Sequence, residues 1–128
     1  MYIKQELGKE GEEEACSYLK QQDYKIIERN FSCKQGEIDI VAWDRASKEL
    51  VFIEVKTRTN KNYGAPIEAV TEIKQKHIYR SAEFYLYCHK IKNTAIRIDV
   101  IEVYLHSGKF SVNHIKQAFE RPHTVNTY

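Results

Sequence analysis

Asp39, Glu54 and Lys56 have the types and the spacing of a site that holds a hard divalent cation. The first lies in Gly36-Glu37-Ile38-Asp39-Ile40 and the other two in Val51-Phe52-Ile53-Glu54-Val55-Lys56-Thr57-Arg58. Both segments alternate apolar and polar residues as half-buried strands do. Glu37 and Asp39 therefore share one face of the first, and Glu54, Lys56 and Arg58 one face of the second. If Asp44 and Glu49 close a four-residue hairpin loop, the register sets Asp39 opposite Glu54 and Glu37 opposite Lys56. Directly opposed Cβ atoms lie roughly 4.5–5.5 Å apart, where two carboxylates destabilise a sheet unless a positive charge lies between them. Mg²⁺ or Mn²⁺ suits such oxygen donors, and Mg²⁺ commonly takes only one or two carboxylates plus water and phosphate oxygens. The plainer alternative is a surface salt-bridge cluster around Lys56.

The elements that must position these residues follow from the same periodicities. Residues 4 to 21 read as a helix with Ile3, Leu7, Gly11, Ala15, Tyr18 and Leu19 as its apolar stripe. Tyr24 to Phe31 reads as a strand, followed by the hairpin. Asn60 to Ala65 is a polar loop closed by Pro66. Thr71 is a candidate N-cap for a second helix ending near His89, with Ile73, His77, Ile78, Ala82, Tyr85 and Leu86 at helical spacing. Ala95 to Leu105 alternates as a strand, His106 to Lys109 turns, and Phe110 to Ile115 is a further strand. The last dozen residues read as a loosely held tail. One α/β domain over residues 1–120, in the order α-β-β-β-α-β-β, with a tail at 121–128, is the expectation.

With 42% hydrophobic and 30% charged residues, the composition is that of an ordinary globular chain rather than a disordered one. No apolar run approaches the roughly 20 residues of a membrane span, and no basic-then-apolar leader opens the chain, so a cytoplasmic location is expected. Cys16, Cys33 and Cys88 are widely spaced, which suggests reduced, mostly buried thiols rather than a disulfide framework or a zinc knuckle. The five histidines show no metal-ligand spacing. Charge is polarised along the chain: residues 1 to 55 carry 8 Lys and Arg against 12 Asp and Glu, and residues 56 to 128 carry 12 against 6. Such a distribution suits a protein that holds a cation and a polyanion together, and equally a solvated surface.

An acidic residue on one strand with Glu-x-Lys on the next resembles the core of the PD-(D/E)XK nuclease superfamily, although Ile38 rather than proline precedes Asp39. The likeness extends to Gly8-x-x-Gly11-Glu12-x-x-Ala15, Tyr24-x-Ile26-x-Glu28-Arg29-Asn30-Phe31, Ala69-Val70-Thr71-x-x-Lys74 and Arg97-x-Asp99-Val100. Over about residues 7 to 103 the chain resembles the YraN-like family of endonucleases. Its most specific part is Gly-Glu-Ile-Asp combined with Glu-Val-Lys-Thr-Arg.

That resemblance implies a restriction-endonuclease-like mixed sheet flanked by helices, with the fourth strand parallel to the hairpin. It implies a Mg²⁺- or Mn²⁺-dependent endonuclease acting on DNA, in particular branched DNA as junction resolvases do. It makes the Val55 carbonyl a third metal ligand and Lys56 the group that orients or deprotonates the attacking water. It selects Glu12 as the helix carboxylate, whereas helical geometry slightly favours Glu14. Arg58, Thr71 and Lys74 are candidates for DNA phosphate contact, the last two from a helix N-terminus, and Thr71 serves equally well as a cap. Arg97 and Asp99 read as a buried or edge ion pair, and Glu37 as a group orienting Lys56. A homodimer would suit symmetric action on two strands, though no interface is legible. The rival readings are a non-catalytic nucleic-acid-binding module and an RNA-directed nuclease.

Overall fold

A computed structural model describes residues 4–59 and 70–119. The order is α1 (Lys4–Gln21), β1 (Tyr24–Cys33), β2 (Gly36–Asp44), β3 (Glu49–Arg58), α2 (Glu72–Cys88), β4 (Ile96–His106) and β5 (Lys109–Ile115). This is the α-β-β-β-α-β-β succession that the periodicities predict. The five strands lie in the sheet in chain order, β1-β2-β3-β4-β5. All neighbours are antiparallel except β3 and β4, which run parallel through the crossover that contains α2.

Alternation along β3 divides the protein into two cores. Leu50 and Phe52 pack with Ile38, Val41, Ile78, Tyr79, Ala82, Tyr85, Ile98 and Val100 on the α2 side. Val51, Ile53 and Val55 pack with Ala15, Cys16, Leu19, Tyr24, Ile40, Ala42, Ile101 and Val103 on the α1 side. Because the central strands bury both faces, they read as near-continuous apolar runs, and the helices are what shield them. The β4–β5 turn places Ser107 and Gly108 at φ 51° and 76°, the left-handed pair that a two-residue hairpin loop needs to match strand twist.

One close approach fixes the seat of α1. A Cβ built on Gly11 would collide with Thr57 Oγ1 and lie 3.1 Å from both Thr57 Cβ and Cγ2, so only glycine lets the helix backbone rest on β3 there. Gly11 and Thr57 both belong to the motifs noted above, and their contact links those motifs in space.

Several expectations are corrected. In α2, Ile73 is 69% exposed and His77 is exposed, while Tyr79, Ser81 and Glu83 are buried. The inward stripe thus begins at Ile78 and is broader than apolar spacing suggested. The final segment is anchored at its start: Ala118 and Phe119 join the α2-side core, Ala118 N–H donates to Ile98 O at 2.9 Å, and Tyr79 O–H donates to Phe119 O at 3.0 Å. β1 extends two residues beyond Phe31, to Cys33. Cys88 is exposed rather than buried. Ile3, the 60–66 loop and the 121–128 tail lie outside the described residues.

Candidate metal and phosphate site

The hairpin register predicted from the loop holds along the ladder from Asp44↔Glu49 to Ile40↔Ile53. At Ile40 and Ile53 the main-chain ladder ends, and beyond them the two strands take different partners. Glu37 and Ile38 continue to pair with Ser32 and Phe31 on β1, while Glu54 and Lys56 continue opposite Val100 and Glu102 on β4. Neither expected cross-strand pair, Asp39 opposite Glu54 or Glu37 opposite Lys56, is therefore part of the ladder. Asp39 bridges the gap with its side chain: Oδ2 accepts the Val55 N–H at 2.7 Å, taking up a donor that β2's backbone no longer satisfies.

Glu54 lies beside this junction, 8% exposed, on the α2-facing side of β3. Two ammonium groups reach the same oxygen from different elements, Lys56 Nζ at 3.5 Å and Lys74 Nζ at 3.8 Å from Glu54 Oε1. Both contacts are too long for strong hydrogen bonds. Burial, followed by the charge of Asp39, outweighs the two lysines and pushes the Glu54 carboxyl up to about 7. Burial also raises Asp39, against the Val55 N–H and the charges of Lys74 and Lys56. Two carboxylates at one point thus resist ionising together, a pattern found often at functional sites.

Glu12 projects from the first half of α1 toward the same region. Burial raises its carboxyl, and Asp39 is the next cause, so the two share a field. Its side chain also faces Arg29 NH2 at 3.4 Å, while Arg29 NH1 holds Glu13 at 2.8 Å. Lys9, Glu12, Glu13, Arg29 and Asn30 line an open cleft of about 550 Å³ between α1 and β1. Arg29 belongs to the Glu-Arg-Asn-Phe motif, but its partners sit on another element 16 and 17 residues away, beyond what spacing reveals. Glu14 is half-buried, as Glu12 is, but it is Glu12 that shares the field of Asp39.

The remaining candidates separate. Thr71 caps α2, its Oγ1 accepting the Lys74 N–H at 3.2 Å. Lys74, expected to face phosphate, instead points its ammonium at Glu54 while staying 42% exposed, which makes it part of the carboxylate site. Arg58, 36% exposed, pairs through Nε with the buried Glu102 at 3.7 Å. Val55 is half-buried with its amide committed to Asp39. Arg97 and Asp99 form the anticipated buried pair at 2.8 Å. Asp99 also accepts from Gln117 N–H at 3.0 Å and hydrogen-bonds His114 Nε2 at 2.6 Å; Arg97 reaches Asp44, Glu49 and Tyr24.

Among the described residues no group of three His, Cys, Asp or Glu side chains converges on one point. The donor set still fits a hard cation such as Mg²⁺, which one or two carboxylates can hold if water and substrate oxygens complete its shell. Asp39 and Glu54 are the two carboxylates that could serve such a cation, with Lys56 and Lys74 Nζ at 3.5 and 3.8 Å from Glu54 as the neighbouring positive charges.

The fold and site define a mixed α/β protein with a paired-carboxylate and lysine cluster where two central strands part. Residues 11–103 match the uncharacterised protein family UPF0102, and the chain belongs to that family. It is 46% identical over 118 residues to a UPF0102 protein of Caldicellulosiruptor saccharolyticus, covering 91% of this chain and 98% of the relative. A UPF0102 protein of Clostridium botulinum strain Loch Maree is 47% identical over 122 residues, 93% of this chain and 98% of its own. One from Caldanaerobacter subterraneus subsp. tengcongensis is 45% identical over 119 residues, 91% and 96% respectively. No helix among the described residues is long and apolar enough to cross a membrane.

Proposed function

We propose that this protein is a metal-dependent endonuclease that hydrolyses DNA phosphodiester bonds, with branched DNA as the preferred form. The observation that carries the reading is the confinement of Asp39 and Glu54 at the parting of β2 and β3, with Lys56 Nζ 3.5 Å from Glu54. Likeness to the PD-(D/E)XK core supports it. Asp39 and Glu54, with the Val55 carbonyl and Glu12 as further donors, would hold Mg²⁺ or Mn²⁺. Such an ion, when bound, supplies a water of lowered pKa and neutralises charge on the phosphate.

The chain's own residues have separable tasks. Asp39 uses Oδ2 to fix the β3 backbone, so its carboxylate is oriented before any ligand arrives. Lys56 stands where it can orient the attacking water and contact the scissile phosphate. Lys74, 42% exposed beside Glu54, would lie within reach of a phosphate entering the site. Arg58 extends the positive edge further along β3.

The deciding experiment incubates the purified protein with duplex, single-stranded and four-way-junction DNA and with RNA, in Mg²⁺, in Mn²⁺ and in chelator. Metal-dependent cleavage of DNA that is lost in Asp39→Ala, Glu54→Ala and Lys56→Ala supports the reading. Cleavage of RNA alone would make the protein a ribonuclease. Binding without cleavage in any metal would make it a recognition module, and wild-type activity in all three variants would place the site elsewhere.

A further inference from the structure

Beyond the paired carboxylates, the α2-facing surface of β3 and β4 holds an acid that the reaction above does not use. Glu102 on β4 is 1% exposed and is the register partner of Lys56. Its Oε1 accepts the Tyr104 O–H at 2.6 Å and the Asn113 side-chain N–H at 3.4 Å. Its Oε2 is buried without a hydrogen bond, and the cation that faces it is Arg58, with Nε at 3.7 Å. A buried carboxylate stripped of water is costly unless a positive group stays beside it. Arg58 thus turns its Nε edge toward Glu102 as a charge contact without a hydrogen bond, while its two terminal amino groups have no partner among the described residues.

We propose that Glu102 is a positioning residue that presents the two terminal amino groups of Arg58 as a fork for a phosphate next to the Asp39–Glu54–Lys56 cluster. Three features make this more than a solvated arginine. Two donors on Oε1 stop Glu102 from rotating, so Oε2 points one way. Burial removes water as a competing partner, so the charge acts on Arg58. Arg58 shares its strand face with Lys56 and Glu54, two and four residues away, so a phosphodiester chain crossing the site would meet it one step along. A guanidinium whose Nε edge is drawn toward a fixed buried charge keeps free the planar pair of terminal donors that match a phosphate. The inference rests on the nucleic-acid reading above and assigns the recognition of a flanking phosphate within it.

The test combines DNA binding, measured by anisotropy with Ca²⁺ in place of Mg²⁺, and side-chain ¹⁵N NMR of Arg58 in the free protein. Glu102→Gln can keep an oxygen toward Tyr104 and Asn113 only by turning its amide N–H groups toward Arg58, replacing attraction with donor against donor. The Arg58 Nε resonance should shift clearly between the wild type and Glu102→Gln. DNA affinity should fall roughly tenfold in Glu102→Gln, as in Arg58→Ala, and the double variant should bind no worse than Arg58→Ala. Additive losses, or wild-type affinity in Glu102→Gln, would overturn the proposal. If Glu102→Gln does not fold, Arg58→Lys decides: it keeps the charge but not the fork, so wild-type affinity there also overturns it. If the wild type binds no nucleic acid, the nuclease reading fails by itself. Titration with inorganic phosphate, followed at the Arg58 Nε–H, then judges the fork, and an unperturbed signal sinks it.

Discussion

The Val55 N–H donates to Asp39 Oδ2 at 2.7 Å across the point where the β2–β3 ladder ends. A single side chain thus carries both a structural and an electrostatic duty, and variants can separate the two.

Asp39→Asn keeps an acceptor for Val55 and removes the charge, so without metal it should be at least as stable as the wild type. Asp39→Ala removes the acceptor too and should cost about 1–3 kcal/mol. Millimolar Mg²⁺ should raise the wild-type Tm by binding the folded state, and raise it less in either variant. Thermal melts in chelator and in metal read both effects; an undiminished metal response in Asp39→Asn would exclude Asp39 as a ligand.

The Glu54 carboxyl, raised from 4.5 to about 7, makes the metal-free folded state the stronger proton binder between those values. Its contribution favours folding fully below about pH 4.5, fades as pH rises through 7, and levels off above that. Glu54→Gln should abolish this slope and be more stable than the wild type at pH 8 by on the order of 3 kcal/mol. Urea midpoints at pH 5 and pH 8, in chelator, measure the difference; equal slopes in the two proteins would contradict it.

Gly11→Ala should drive α1 off Thr57, destabilising the protein by about 1–3 kcal/mol. Adding Thr57→Ala removes Oγ1 and Cγ2 and should restore part of the loss. A double-mutant cycle from denaturant melts gives the coupling, and simple additivity would show that the contact is not what requires glycine.

Asp99→Ala would leave Arg97 buried without the carboxylate that meets it at two points and should cost about 3–5 kcal/mol. Hydrogen bonds from His114, Arg97 and Gln117 outweigh burial and hold the Asp99 carboxyl below its usual range, so this support persists at neutral pH and is lost only in acid. Guanidinium melts at pH 7 and pH 3 test both statements, the gap between variant and wild type narrowing at pH 3.

Much of this was legible in the amino acids. Alternation and a polar four-residue loop indicated the hairpin register, because a slip of one residue would have moved Ile40, Ile53 and their neighbours from the α1-side core to the opposite face. Motif likeness supplied the parallel β4. The end of the ladder was not legible, since Ile38-Asp39-Ile40 alternates as if pairing continued, yet Ile38 joins one core and Ile40 the other. Nor was the place of Lys74, which depends on where α2 starts relative to β3. Glu102 reads as one more polar position on an alternating strand; only β5, through Asn113, and Tyr104 reveal it as buried. The docking of Ala118 and Phe119 rests on two apolar residues, too few to form a periodic signal.

Strands laid down in the sheet in chain order have a kinetic consequence. The β1–β2–β3 meander and the β4–β5 hairpin close short loops, whereas the β3–β4 pairing must wait for the crossover, and α1 needs β3 and β4 as its platform. The carboxylate cluster draws on α1, β2, β3 and α2, so it should be completed late in folding. A chain halted just before α1 docks would retain most of its sheet hydrogen bonds while lacking Glu12. In this protein, protection of the sheet amides should therefore appear before competence for ligand.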